Sequence, residues 1–222
     1  KSTKNTIPTR TVKTASTLPR WRSVTLSPPS LQRAGSADAE TVYRKVSPSV
    51  YKLFSAASEK ALGDLENVSQ GSAVAVSDRL AFTNCHVVEE GRFHVLFDDV
   101  SESIIEVRVV AADQDRDICV VQSEVNKLKA IGRIRSTANL SVGEPVYTIG
   151  NPSNLSKTIA DGIVSGVRVT DSRTIQITAP ISPGSSGGAL VDGAGDLIGI
   201  TTSYLKDSQN LNFAVAIEEF WK

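Results

Sequence analysis

The sequence predicts an all-β protein built from two six-stranded antiparallel β-barrels. Short runs of apolar and β-branched residues recur along the chain, and Asp, Glu, Gly and Ser residues separate them as in turns. These runs form two groups of six, on either side of a connection at residues 124–137 that carries lysine and arginine. No helix-length period separates consecutive strands, which disfavours a parallel βαβ sheet, and no repeat of about 20–50 residues is present.

The chain divides into a basic tail and a barrel domain. Residues 1–37 are rich in Ser, Thr and Pro without apolar periodicity, so we expect this tail to be disordered. Its first 36 residues carry seven basic side chains and no acid; because the whole chain has a net charge of zero, the remainder carries about −7. The domain then spans 38–222, with a first barrel at about 49–123, the connection at 124–137 and a second barrel at about 138–217.

The domain begins with a short amphipathic helix. Residues 38–46 place acids in the first turn and Lys45 near the end, and Pro48 stops the helix. The first group of strands is predicted at Val50 to Phe54, Ser72 to Val76, Leu80 to Thr83, Phe93 to Phe97, Ile104 to Val110 and Ile118 to Gln122. The second group is predicted at Pro145 to Ile149, Gly162 to Val169, Thr174 to Thr178, Ala189 to Val191, Leu197 to Thr202 and Asn212 to Ile217, followed by a terminal turn through Trp221.

Composition excludes several classes of function. No apolar run approaches the roughly 18 residues that a membrane-spanning helix needs. The basic residues of the tail are dispersed without interleaved aromatic residues, so no nucleic-acid partner is expected. The tail resembles an organelle transit segment or the linker left after signal cleavage, which leaves the compartment open.

The two cysteines, Cys85 and Cys119, are too few for a disulfide-dense secreted scaffold. Cys85 directly precedes His86, and Cys119 lies two residues after Asp117. A fold that brings His86 and Asp117 together is therefore expected to bring the two sulfur atoms close to each other. We expect buried free thiols. A disulfide between them stays an alternative, because it depends on a Cα separation of roughly 4.4–6.8 Å that the sequence does not fix.

A histidine and an aspartate precede a serine-glycine loop in the chain. His86 follows Thr-Asn-Cys at a predicted strand end, whereas His94 lies inside an alternating run and is interpreted as an ordinary strand residue. Asp117 leads directly into an apolar run, which its neighbours Asp113 and Asp115 do not, so its carboxylate is expected toward the interior, where an imidazole N–H would satisfy it. A calcium loop is excluded here, because its sixth place needs glycine and holds isoleucine.

The candidate nucleophile is Ser186. A serine hydroxyl needs an adjacent base, and that base needs a third group to hold its tautomer, which the order His86, Asp117, Ser186 supplies. Ser186 is favoured over Ser185 because two glycines follow it and permit close backbone approach. The N–H of Gly184 can converge with that of Ser186 on an oxyanion, and Ser185 completes this candidate oxyanion hole.

Several motifs together resemble the protease domain of HtrA/DegP-type trypsin-like serine proteases over about residues 40–219. They are Thr83-Asn84-Cys85-His86-Val87, Asp117-Ile118-Cys119-Val120-Val121, Ile149-Gly150-Asn151-Pro152, Gly162-Ile163-Val164-Ser165-Gly166, Pro183-Gly184-Ser185-Ser186-Gly187-Gly188-Ala189-Leu190, Leu197-Ile198-Gly199-Ile200-Thr201 and Asn212-Phe213-Ala214-Val215. The chain departs from this family at Ser185, where asparagine is usual, and at Cys85, where another residue is common. We expect no peptide-binding PDZ domain, which many members carry, within these 222 residues.

The resemblance implies a chymotrypsin-like double barrel with the active site in the cleft between the barrels. It implies that His86 deprotonates Ser186, that Asp117 orients His86, and that no metal or organic cofactor is needed. Homotrimers are common in the family, as are extracytoplasmic members; an organelle is the other location to expect.

The segment Ile177 to Ser182 has no acid where a pocket for arginine or lysine would need one. Small or apolar walls therefore predict an uncharged, small or medium aliphatic P1 side chain, with substrate-binding residues Pro180, Thr201, Thr202, Ser203 and Phe213. We expect a serine endopeptidase acting on unfolded or exposed segments that add as strands to the cleft edge. The alternatives are a catalytically inactive, chaperone-like relative and an interaction protein acting through its basic arm.

Overall fold

The computed structural model describes residues 18–19, 27–64, 67–152, 155–202 and 212–221. Helix α1 (Ala39–Val46) opens the domain, as predicted, because the carboxylate of Asp38 caps it by accepting a hydrogen bond from the Thr41 N–H at 2.7 Å. A 3₁₀ turn at Ser47–Ser49, with proline near its start, leads into the first strand.

The first barrel contains six strands and two short helices that the sequence did not predict. The strands are β1 (Val50–Ala56), β2 (Ser69–Ala75), β3 (Leu80–Thr83), β4 (Phe93–Asp98), β5 (Ser103–Asp113) and β6 (Ile118–Ser123). The helices are α2 (Glu59–Asp64), between β1 and β2, and α3 (Cys85–Val88), between β3 and β4. The barrel closes in the order β1-β2-β3-β6-β5-β4, and every pairing is antiparallel.

The second barrel contains β7 (Pro145–Gly150), β8 (Thr158–Val169), β9 (Arg173–Ile177), β10 (Ala189–Asp192), β11 (Leu197–Thr202) and β12 (Asn212–Ala216). It closes in the order β10-β11-β12-β9-β8-β7, again with antiparallel pairs throughout. The predicted fold class, two six-stranded antiparallel barrels, is therefore confirmed. A final 3₁₀ segment, Ile217–Trp221, returns toward the first barrel.

An apolar layer joins the two barrels. Besides the interior of each barrel, a further cluster combines Phe82 and Ile118 of the first barrel with Ile200 and Val215 of the second. The ring of Phe82 stacks on that of Phe220 with centroids 4.2 Å apart, so the C-terminal segment completes this layer. Because apolar burial is the main favourable contribution to folding, this layer holds the two halves of the cleft together.

The connection between the barrels is held by a buried cation. Arg135, 1% exposed, pairs with Glu144 at 3.0 Å and with Asp192 at 3.1 Å.

Most of the predicted tail lies outside the described residues. Of its described residues, the segment 27–37 is bonded to the domain, since the Ser30 N–H donates to the Ile134 carbonyl at 2.8 Å and Ser30 forms a β-bridge with Arg135. The disorder expected for the tail stays a prediction.

Candidate functional site

Asp117 stands in a strained backbone position at the end of the turn between β5 and β6. Its φ of 58° lies in the left-handed region, which non-glycine residues seldom adopt. The turn is closed by the Asp117 N–H, which donates to the Gln114 carbonyl at 3.3 Å, and the Asn84 side-chain amide donates to the Asp117 carbonyl at 3.0 Å. These bonds hold the buried Asp117, with its carboxylate beneath the start of α3.

The Asp117 carboxylate accepts three hydrogen bonds that fix it against His86. One oxygen accepts from the His86 backbone N–H at 3.0 Å, and the other lies 2.8 Å from His86 Nδ1. The second oxygen also accepts from the Thr202 hydroxyl, which belongs to the second barrel, at 3.1 Å. Since an ionised carboxylate only accepts, His86 Nδ1 carries the proton and Nε2 is left as the basic nitrogen.

This arrangement changes the acidity of His86. Its hydrogen bond to Asp117 raises the pKa of the imidazole above its usual value of 6.5, against the opposing effect of burial. A higher pKa makes the imidazole a stronger base toward a hydroxyl proton. By contrast, burial lowers the pKa of His94, which lies in β4 with its Nδ1 3.0 Å from the Ser55 hydroxyl. The prediction that His94 is a strand residue is confirmed.

The loop that carries Ser186 consists of two successive tight turns. In the first, the Ser185 N–H donates to the Ser182 carbonyl at 2.9 Å, and Gly184 at the third position has a φ of 91°. In the second, the Gly188 N–H donates to the Ser185 carbonyl at 2.9 Å, and Gly187 has a φ of 84°. A positive φ confined to the third position defines a type II turn, and proline at the second position of the first turn is typical of that type.

The predicted nucleophile lies beside the first barrel. Ser186 is 4% exposed, and its carbonyl accepts a hydrogen bond of 2.7 Å from the Ser72 N–H of β2. A methyl group on the neighbouring Gly71 would lie 2.6 Å from Val87 and 3.1 Å from the Ser186 carbonyl oxygen. Val87, which follows His86, and the backbone of Ser186 therefore both lie against Gly71. Because Gly71 has no side chain, the segments that carry His86 and Ser186 can approach each other across the cleft.

The rival aspartates are placed elsewhere. Asp113 accepts from the Arg116 N–H at 3.1 Å and pairs with the Arg116 guanidinium at 3.2 Å. Asp115 is exposed. No group of three or more His, Cys, Asp or Glu side chains suited to a metal ion occurs in the part of the chain that the structure describes.

The predicted substrate-binding residues divide between two cavities. Thr202 and Phe213 line a cavity of about 320 Å³ that also reaches Asp117. Pro180 and Thr201 line a second one, of about 230 Å³, together with Ser185. Ser203 lies outside the described residues, so its prediction is not tested. Sequence reasoning treated Thr202 only as a wall and missed its bond to Asp117; the run of buried residues in β11 gave no signal for that role.

The cysteines differ from the prediction. Cys85 and Cys119 form a disulfide with their Cα atoms 5.0 Å apart, and the expectation of free thiols is wrong. The physical reason is the register of β3 and β6, which pairs Thr83 with Cys119 and so places both sulfur atoms in the interior of the first barrel. The bridge joins the chain one residue before His86 to the chain two residues after Asp117, so it ties together the two segments that carry these residues.

Comparisons with known proteins agree with this architecture. The family model described as the trypsin-like peptidase domain matches residues 71–200. The chain is 34% identical over 172 residues to "Protease Do-like 1, chloroplastic" of Arabidopsis thaliana, a match that covers 70% of this chain and 39% of the relative. It is 33% identical over 192 residues to "Serine endoprotease DegS" of Haemophilus influenzae, covering 79% of this chain and 56% of the relative.

Among solved structures, the HtrA-type protease AlgW with a tripeptide superposes with a TM-score of 0.72 at 27% identity, covering 82% of this chain and 61% of that one. The chain therefore spans less than two thirds of the length of the relatives it matches. No helix among the described residues is long and apolar enough to cross a membrane.

Proposed function

Because the chain belongs to the trypsin-like peptidase domain family, we propose that it is a serine endopeptidase that hydrolyses unfolded or exposed polypeptide segments. The observation that carries the proposal is the hydrogen-bonded pair of His86 and Asp117, 2.8 Å apart, beside the turn that presents Ser186. That pair supplies a base in the required tautomer, and the glycine turn supplies backbone donors for an oxyanion.

In the proposed reaction, Nε2 of His86 accepts the proton of the Ser186 hydroxyl as the oxygen attacks the scissile carbonyl. The carbonyl carbon becomes tetrahedral, and its oxyanion is stabilised by the N–H groups of Gly184 and Ser186. The imidazolium, stabilised by Asp117, then gives its proton to the leaving amine, and the acyl-enzyme is hydrolysed by water activated in the same way. Loss of a member of this triad should leave only a residual rate of roughly 10³–10⁴ over water.

The substrate is proposed to bind as an extended strand with an uncharged, small or medium P1 side chain. In this mode of binding, the main chain of the substrate adds to the edge of a sheet and its side chains enter pockets of the cleft. Among the described residues, no acidic side chain lines the cavity formed by Pro180, Thr201 and their neighbours, so these residues offer no counter-charge to a cationic P1 side chain. Dominant cleavage after lysine or arginine in a peptide-library digest would contradict this specificity.

We further infer an extracytoplasmic or organellar location and a homotrimer, both from family resemblance. The name of the Arabidopsis relative places that protein in the chloroplast, and the disulfide of Cys85 with Cys119 suits an oxidising compartment. Sedimentation analysis of the purified chain tests the trimer, and a monomer at micromolar concentration would contradict it.

The experiment that tests the proposed function compares wild type with Ser186→Ala and Ser185→Ala. Degradation of casein and labelling by a fluorophosphonate probe are measured for each. Wild type should be active and labelled, Ser186→Ala should lose both properties, and Ser185→Ala should still be labelled. A folded wild type that is neither labelled nor active would instead support the inactive, chaperone-like alternative. Labelling that survives in Ser186→Ala and is lost in Ser185→Ala would show that the wrong serine was chosen.

A further inference from the structure

We propose that Ser72, on β2 of the first barrel, is a positioning residue that sets the oxyanion-hole geometry of the Ser186 loop. This inference rests on the proposed peptidase function and extends it to a residue in the other barrel. Ser72 is fully buried, in a strand that carries none of the predicted site residues. It reaches the loop through both its backbone and its side chain.

Two carbonyls of the loop are held by Ser72. Its hydroxyl donates to the Gly184 carbonyl at 3.0 Å, and its backbone N–H donates to the Ser186 carbonyl at 2.7 Å. These carbonyls belong to the residues before and after Ser185. Ser72 of the first barrel therefore binds the loop on both sides of Ser185, the residue next to the proposed nucleophile.

Hydrogen bonds hold each of the three peptide planes from Gly184 to Gly187, and Ser72 contributes to two of them. In the 184–185 plane, the carbonyl bonds to Ser72 and the N–H to the Ser182 carbonyl at 2.9 Å. In the 186–187 plane, the carbonyl bonds to Ser72 and the N–H to the Thr201 carbonyl at 2.9 Å.

The plane between them is fixed from its carbonyl side. The Ser185 carbonyl accepts from the Gly188 N–H at 2.9 Å and from the Thr201 hydroxyl at 2.6 Å. Because the two ends of a planar trans peptide point in opposite directions, the Ser186 N–H is turned away from these donors. The direction of the Ser186 N–H, a proposed oxyanion donor, is therefore set by the hydrogen bonds of the Ser185 carbonyl.

The Ser72 hydroxyl is itself held in place by Asn151, at the end of β7. It accepts from the Asn151 backbone N–H at 3.0 Å and from the Asn151 side-chain amide at 3.2 Å. With these two acceptor positions filled, the single proton of the hydroxyl is directed to the Gly184 carbonyl. Asn151 is fully buried, so water does not compete for these bonds. The arrangement uses β7 of one barrel to aim a hydroxyl of the other.

The test compares Ser72→Ala with Ser55→Ala. Ser55 is a matched control because it is also a buried serine in a strand of the first barrel, and its hydroxyl bonds to His94, away from the loop. We expect Ser72→Ala to lower kcat on a fluorogenic peptide about 10- to 100-fold with KM within about twofold of wild type, because misplaced donors weaken transition-state binding selectively. Ser55→Ala should keep kcat within about twofold.

Two further readouts separate positioning from loss of structure. The rate constant for fluorophosphonate labelling should fall together with kcat in Ser72→Ala, while the pH midpoint of kcat/KM, set by His86, should stay at its wild-type value. Circular dichroism and urea unfolding establish the folded fraction to which the rates are normalised. A folded Ser72→Ala with wild-type kcat, or an equal loss in Ser55→Ala, would overturn the proposal.

If Ser72→Ala does not fold, Asn151→Ala provides the test. It removes the side-chain bond that aims the Ser72 hydroxyl and leaves the backbone bond, so kcat should fall about three- to tenfold with KM unchanged. Wild-type kcat in folded Asn151→Ala would overturn the inference. Failure of the peptidase function itself is distinguishable, since wild type would then be inactive and unlabelled.

Discussion

Replacing Gly184 by alanine should reduce turnover without weakening substrate binding. Gly184 has a φ of 91° at the third position of the turn from Ser182 to Ser185. A residue with a Cβ atom pays about 1–2 kcal/mol for this left-handed conformation. The competing type I turn has a φ near −90° at the same position, so alanine shifts the equilibrium toward it.

The two turn types differ by a rotation of the peptide between Pro183 and Gly184. In a type I turn the Gly184 N–H therefore points away from the proposed position of the oxyanion. Since each 1.36 kcal/mol corresponds to a factor of ten, a bias of about 1–2 kcal/mol lowers the ratio of the competent turn to the competing turn about 5- to 30-fold. The loss of kcat from this shift follows the competent fraction and is at most of that size. The largest loss of kcat to expect is that of removing one oxyanion donor altogether, about 10²–10³-fold.

Gly143→Ala is the matched control for this prediction. Gly143 has a φ of 90° at the third position of the turn from Ser141 to Glu144, and a methyl group there would meet no atom within 4 Å. Both variants should therefore lose a similar free energy of unfolding in urea, about 1–2 kcal/mol, whereas only Gly184→Ala should lose kcat on a fluorogenic peptide. Wild-type kcat in Gly184→Ala, or an equal loss in Gly143→Ala, would refute the reasoning.

Three other predictions follow from the contacts around His86. In the proposed mechanism the neutral imidazole of His86 is the base, and Asp117 raises its pKa, so kcat/KM should increase with pH through a midpoint above 6.5. Asp117→Asn should move that midpoint down and lower kcat about 10⁴-fold, and a midpoint that does not move would contradict this. Removing the disulfide in a Cys85→Ala, Cys119→Ala double variant should lower the free energy of unfolding by about 3–4 kcal/mol in urea, given the 34-residue separation, and an unchanged midpoint under oxidising conditions would argue against the bridge. Thr202→Val removes a buried hydrogen bond to a carboxylate and should cost about 1.5–3 kcal/mol in the same assay; a loss below about 0.5 kcal/mol would show that this bond contributes little.

Much of the fold could be predicted because its signals are local. Alternation of apolar residues and the turns between the runs located all twelve strands, and the change of composition at 124–137 separated the barrels. The helices α2 and α3 were missed because they have six and four residues, too few to show a helical period. The disulfide was missed because strand register, which pairs Thr83 with Cys119, is a property of two distant segments.

The sequence by itself determined which residue types could act: a histidine, an aspartate and a serine in a fixed chain order, with glycines where the loop needs a positive φ. Only the tertiary structure decided how they are aimed. The bonds from Thr202 to Asp117 and from Ser72 to the Ser186 loop join the two barrels, across separations of 85 residues and of more than a hundred. The direction of a hydrogen bond depends on where both partners lie in space, and no local pattern of residues carries that information.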